Sequence, residues 1–222
     1  MAVTRERFEQ GMTYDQYKDS MTRNRERLEE NERTVKFDQA DLAPFKDLPR
    51  PLNVLVIAED WCGDVIANLP ILGRLAQDSG KLNLRVFPRD QNLDLIDQFL
   101  NQGVHRSIPV FAFFDDQFNE LGRFIERPNS VTDQRAQKRR EVFAQHPEFG
   151  SPDAPPDQLP EETRNALNQA LSAMREEMTP FANREVVREL RAIVERAATQ
   201  SPAALSGQAG AWQSEAGRAP GK

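Results

Sequence analysis

The residues best suited to chemistry lie in one stretch, Glu59-Asp60-Trp61-Cys62-Gly63-Asp64-Val65, which holds the chain's single cysteine. A thiol at the start of a helix meets unpaired backbone N–H groups and the positive end of the helix dipole, which stabilise the thiolate and favour attack on a disulfide or another electrophile. Cys62 is therefore a candidate nucleophile. The competing reading is a small apolar residue kept for packing, since cysteines are often buried and inert. A dithiol site needs a second cysteine three positions on, where Val65 stands, so no intramolecular disulfide can form. Asp64 places a negative charge beside the sulfur, which opposes ionisation. Glu59 and Asp60 are read either as a solvated acidic rim or as a carboxylate able to handle a proton. Trp61 is read as an aromatic contact surface that shields the sulfur and anchors a partner.

The junction follows from the flanking pattern. Residues 53–58, Asn-Val-Leu-Val-Ile-Ala, form an apolar run without alternation, as expected of a central strand covered on both faces. Residues 63–79 carry Ile66, Leu69, Leu72 and Leu75 at helical spacing and stop at Gly80, a good C-terminal cap. A second strand is predicted over 82–87 and a second helix over 93–102. Residues 109–114 and 120–126, separated by the turn formers Asp115-Asp116-Gln117-Phe118-Asn119, predict an antiparallel hairpin. The fold class is α/β, with a mixed central sheet flanked by helices.

Around that core, residues 13–33 predict one peripheral helix capped by Thr13, and residues 41–51 predict connectors broken by Pro44, Pro49 and Pro51. Residues 131–147 read as a charged helix, 150–160 as a proline-rich linker, and 161–178 as a helix broken by Thr179-Pro180. A last helix over 183–198 carries the stripe Val186, Val187, Leu190, Ile193, Val194 and Ala197 and belongs against the sheet. The domain plan is an N-terminal helical extension (1–33), a domain over 34–198 with a helical insertion at about 131–180, and a tail over 199–222. The tail is rich in Ala, Gly, Ser and Pro, with Leu205 and Trp212 as its large apolar residues, and is expected to be disordered.

Composition narrows the function. Of 222 residues, 29 are basic and 35 acidic, a net charge of -6 that argues against a nucleic-acid surface; the run Arg135, Lys138, Arg139, Arg140 reads as a solvated helix face. No secretory signal opens the sequence, and the apolar runs are too short to cross a bilayer, so the expected setting is the cytoplasm, without membrane. Two histidines and one cysteine make no zinc site of the usual kinds. No glycine-rich phosphate loop or serine elbow is present.

Trp61-Cys62-Gly63 after a buried strand, Pro70 eight residues beyond the cysteine with Ile71-Leu72 after it, and Ser107-Ile108-Pro109 before a hairpin strand together resemble the thioredoxin-like family. The resemblance covers about residues 34–126 and resumes at the last helix. It implies a thioredoxin-like fold, a helix kinked at Pro70, and a cis bond between Ile108 and Pro109 facing Cys62. It further implies that the backbone of Ile108 and Pro109 receives an extended peptide or a glutathione-like ligand beside Trp61, Gly63 and Asp64. His105 and Arg106 read as loop-surface residues or as groups favouring an acidic partner. Thioredoxins keep a buried aspartate where Val56 stands here, so proton handling differs or is absent.

Two functions follow from this resemblance. One is monothiol thiol–disulfide exchange by Cys62 on a protein disulfide or a glutathionylated protein, with no cofactor other than glutathione as external thiol. The other is a redox-inactive thioredoxin fold that binds proteins. A Cys62 disulfide between two copies would add redox sensing.

Overall fold

The structure, a computed structural model, describes residues 3–200. The tail expected to be disordered, with Leu205 and Trp212, lies outside the described residues. The elements are α1 (Arg5–Glu9), α2 (Tyr14–Ser20), α3 (Arg25–Thr34), α4 (Gln39–Lys46), β1 (Leu52–Ala58), α5 (Gly63–Ser79), β2 (Leu82–Pro88), α6 (Leu93–Ile96), β3 (Val110–Phe114), β4 (Glu120–Ile125), α7 (Asn129–Gln145) and α8 (Glu161–Gln200).

Among the described residues the sheet has four strands in the order β2-β1-β3-β4. β1 pairs parallel with β2 (Val54 opposite Leu84, Val56 opposite Val86) and antiparallel with β3 (Val56 opposite Phe111). β3 pairs antiparallel with β4. A parallel pair needs a crossover, and α5 supplies it. Because β1 is central, its side chains from Val54 to Ala58 are all fully enclosed, which explains the absence of alternation. Met12 exchanges backbone hydrogen bonds with Val86, 3.0 and 2.8 Å, and so covers part of the β2 edge. In the hairpin loop the Asp115 carboxylate accepts from the backbone N–H of Gln117 and Asn119, both at 2.8 Å, a side-chain turn that fixes the connection.

Four expectations are corrected. The helix expected over 13–33 is two helices. The chain turns at Asn24, whose φ is 56°, because the N–H groups of Thr22 and Arg23 are taken by the Asp60 carboxylate instead of by the helix. Residues 41–46, expected as part of a connector, lie in α4 (Gln39–Lys46): Asp38 and Asp41 make a reciprocal capping box that starts the helix before Pro44. The helix expected over 93–102 ends at Ile96, and residues 97–105 turn instead, with Gln102 and Gly103 at positive φ and Asn101 bridged to His105. Finally, Pro180 does not end a helix. Glu161–Gln200 is continuous, and Pro180 lies inside it.

Proline is tolerated within α4 and α5 for one physical reason. It lacks the N–H that should reach the carbonyl four residues back, so that carbonyl needs another donor. In α5 the Ile66 carbonyl, behind Pro70, accepts from the Asn31 amide at 2.8 Å. In α4 the Ala40 carbonyl, behind Pro44, accepts from the Arg191 guanidinium at 3.3 Å. Side chains distant in sequence replace the missing backbone bonds.

The chain forms two compact units. One comprises the described parts of Met1–Glu126 and Arg188–Lys222 and contains the sheet. In it Gly122 on β4 admits the last turns of α8 closely, since a Cβ there would lie 2.9 Å from Ile193 Cγ2. The other, Arg127–Val187, has its own core of Phe143, Phe149, Leu167, Leu171, Met174 and Met178. Among the described residues no helix is long and apolar enough to cross a membrane.

Candidate active site

β1 ends at Ala58, and the chain turns through Glu59, Asp60 and Trp61 before α5 begins. The Cys62 N–H donates to the Glu59 carbonyl at 3.2 Å, and the Cys62 carbonyl accepts the first helical bond, from Ile66 N–H at 3.1 Å. Cys62 is thus the N-cap residue of α5, with extended backbone (φ -84°, ψ 120°) and a side chain that makes no capping bond. Its thiol is half-buried and donates to the Ile108 carbonyl oxygen at 3.5 Å. The Ile108-Pro109 bond is cis. Cys62 and this loop, 46 residues apart in sequence, are therefore in direct contact.

The neighbours of the sulfur divide sharply by exposure. Trp61 is 44 % exposed, with the Arg89 guanidinium 4.8 Å from its ring centroid, a cation–π contact. Gly63 is exposed, and a Cβ built on it meets nothing within 4 Å, so the approach over the first turn of α5 is open. Asp64 is half-buried on that turn. Val65, Val56 and Ile108 are enclosed.

Glu59 and Asp60 are half-buried, and each carboxylate accepts hydrogen bonds from neighbouring backbone. Glu59 accepts from the Asp90 N–H at 2.8 Å, which ties the loop after β2 to the Cys62 loop. Asp60 Oδ2 accepts from Thr22 N–H (2.7 Å), Thr22 Oγ1 (3.0 Å) and Arg23 N–H (3.0 Å), while its carbonyl accepts from the Asn24 amide at 2.8 Å. Both carboxylates are structural acceptors that lock the site to neighbouring backbone. His105 and Arg106 are exposed, and Arg106 forms a bidentate pair with Asp97 at 2.7 and 2.9 Å.

Sequence reasoning missed the polar frame behind the Ile108-Pro109 loop. Glu126, at φ 64°, donates its N–H to the Pro109 carbonyl at 2.7 Å. Its carbonyl accepts from the Asn68 amide at 2.8 Å, and its carboxylate accepts from Asn101 at 3.0 Å. Asn68 is only 5 % exposed. One signal was legible: Asn68 is a polar residue on the otherwise apolar face of α5. The long-range partners were not, because nothing local marks Glu126 or Asn101.

Tyr17, on α2, was also missed as part of this region. Burial pushes the pKa of its phenol up, and the charges of Asp60, Glu59 and Cys62 push it further, so the hydroxyl stays protonated well beyond its ordinary range.

The comparisons with known proteins agree with this geometry. A family model described as thioredoxin matches residues 11–139, more than half of the chain. Among solved structures, the chain is similar to an HIV epitope scaffold (19% identity, 87% of this chain and 98% of that one covered, TM-score 0.57). It is also similar to a protein of unknown function from Pseudomonas aeruginosa (22% identity, 80% and 99% covered, TM-score 0.56). At these identities the likeness concerns the fold alone. No curated protein matches the chain. A mixed sheet with α5 springing from its central strand, a helix-opening Trp61-Cys62-Gly63 and a model match across that whole core lead to one assignment: the chain belongs to the thioredoxin family.

Proposed function

We propose that the protein is a monothiol thiol–disulfide oxidoreductase acting through Cys62. The observation that carries this reading is the contact of the half-buried Cys62 sulfur, at the N-cap of α5, with the backbone of Ile108 beside cis Pro109. A sulfur so placed has helix N–H groups on one side and an extended segment on the other, a lane along which a substrate chain can lie. In this reading Trp61 anchors the substrate, the bare Gly63 and neighbouring Asp64 line its approach, and Ile108 offers its backbone, with Pro109, whose carbonyl is held by the Glu126 N–H, shaping the loop.

The chemistry balances without a second cysteine. The Cys62 thiolate attacks the Cys62-facing sulfur of glutathione in a glutathionylated protein, and the S–S bond breaks. The protein thiolate leaves and takes up a proton, and Cys62 is left in a mixed disulfide with glutathione. A second glutathione thiolate attacks that disulfide, giving oxidised glutathione and the Cys62 thiolate. A protein disulfide enters the same cycle through a mixed disulfide with one of its sulfurs. The test is turnover of a glutathionylated peptide with glutathione as reductant: steady release of the peptide thiol supports the reading, and none with or without glutathione defeats it.

The second reading is a redox-inactive binding module on the same surface, favoured by the exposure of Trp61 and by the enclosed Val65 and Val56. Under it Cys62→Ser leaves partner binding intact and Trp61→Ala abolishes it. Under the first reading Cys62→Ser removes mixed-disulfide capture.

A further inference from the structure

Four buried side-chain polar atoms among the described residues have no hydrogen-bond partner: the hydroxyls of Tyr14 and Tyr17 and the Nε of Arg74 and Arg85. Buried donors in this condition are rare, and each needs a reason. Two of the four, on Tyr14 and Arg85, belong to residues that line one cleft of about 420 Å³ between α2, α5 and the edge strand β2. A volume of that size is within the range of small-molecule sites. The cleft is separate from Cys62: Gly73, which lines it from α5, lies eleven residues beyond the cysteine, roughly 16 Å along the helix axis.

Close packing fixes the phenol wall. A Cβ on Gly73 would overlap the Tyr14 ring, so the ring lies directly on the backbone of α5, and Lys18 Nζ is 4.6 Å from its centroid. Burial, then the charges of Glu32, Tyr17, Asp15 and Glu29, push the pKa of the Tyr14 phenol far up, so its hydroxyl stays a protonated donor.

The charges that line the cleft fall into two parts. Lys18 is shared by Asp15 at 3.1 Å and Glu32 at 3.3 Å, a trio with one negative charge in excess. Arg85 makes no ion pair among the described residues, so its positive charge is left over. A guanidinium in this condition matches a carboxylate, whose two oxygens accept its parallel N–H groups. A bare anion would satisfy Arg85 but meet the excess charge of the trio, and a bare cation would do the opposite. A molecule with a carboxylate and an ammonium a few atoms apart matches both parts, and its net charge of zero equals that of Lys18, Arg85, Asp15 and Glu32 together.

We propose that this cleft binds a small zwitterion of the free amino-acid type, its carboxylate taken by the Arg85 guanidinium and the Tyr14 hydroxyl and its ammonium by Asp15 and Glu32. The site is independent of the thiol chemistry proposed above.

The experiment is an NMR titration of the isotope-labelled full chain with each of the standard amino acids in turn, and with acetate and methylammonium as the two halves of glycine. At least one amino acid is expected to bind saturably and to move the Arg85 Nε resonance, with both halves binding about tenfold or more weakly. Arg85→Met, which keeps the length and loses the fork, is expected to weaken the amino acid about tenfold or more, and Glu32→Gln to weaken the amino acid but not acetate. No saturable binding by any amino acid, acetate binding as tightly as the best of them, or affinity undiminished in either variant overturns the proposal. If a variant fails to fold, the parent chain decides: the bound amino acid must shift Arg85 together with the residues around Tyr14, and shifts confined to the region of Trp61 and Ile108 overturn it.

Discussion

Cys62 gains its setting from two contacts that differ in how readable they were. Its place at a helix start followed from local pattern, a strand of unbroken apolar residues and then a helical stripe. Its contact with Ile108 is long-range and came only through the family resemblance. The Asn68 and Glu126 frame shows the limit more clearly. A lone polar residue on a core face marks a satisfied buried group, but the acceptor is a backbone carbonyl 58 residues away, which no local signal names. Replacing Asn68 by Leu leaves the Glu126 carbonyl without that donor, and an abandoned buried acceptor costs about 1 to 3 kcal/mol. Urea unfolding of Asn68→Leu should show a loss of that size. Because Glu126 also holds the Pro109 carbonyl, exchange activity in the surviving folded fraction should fall through a raised KM.

At the scale of elements, strands and α5 were legible because their burial is nearly complete and imposes composition directly. Two of the misjudged helices turn on a backbone group satisfied from elsewhere. Pro44 marked a connector on paper, yet α4 runs through it with Arg191 on the orphaned Ala40 carbonyl. Thr22 and Arg23 continued a helix on paper, yet their N–H groups go to Asp60. The Pro70 case allows a clean test. Asn31→Ala removes the donor to the Ile66 carbonyl and should destabilise by about 1 to 2 kcal/mol. In a Pro70→Ala background the new N–H can reach that carbonyl itself, so the same Asn31→Ala change should cost much less. Equal costs in the two backgrounds, measured by a double-mutant cycle, would show that Asn31 does not stand in for the missing proline N–H.

For the whole molecule, both tyrosines of the sequence are held protonated in the folded state, Tyr14 by burial and then by Glu32 and other nearby charges, and Tyr17 by burial and then by Asp60. An unfolded chain releases those protons near pH 10. Above that pH the folded state binds more protons than the unfolded one, so stability must fall as pH rises, whereas below it the two phenols add no slope. Phenolate absorbance should therefore appear only together with loss of the fold, in one cooperative step. A separate phenolate signal near pH 10 from intact protein would contradict the burial of both rings. The claim at the centre of all three scales is that Cys62 alone exchanges disulfides, and it is most directly tested by following a glutathionylated peptide in the presence of excess glutathione. The expected result is catalytic release of the peptide thiol by the parent chain, a transient glutathione adduct on Cys62 seen by intact mass, and loss of both in Cys62→Ser; release that persists undiminished in Cys62→Ser, or no release and no adduct in the parent, would contradict it.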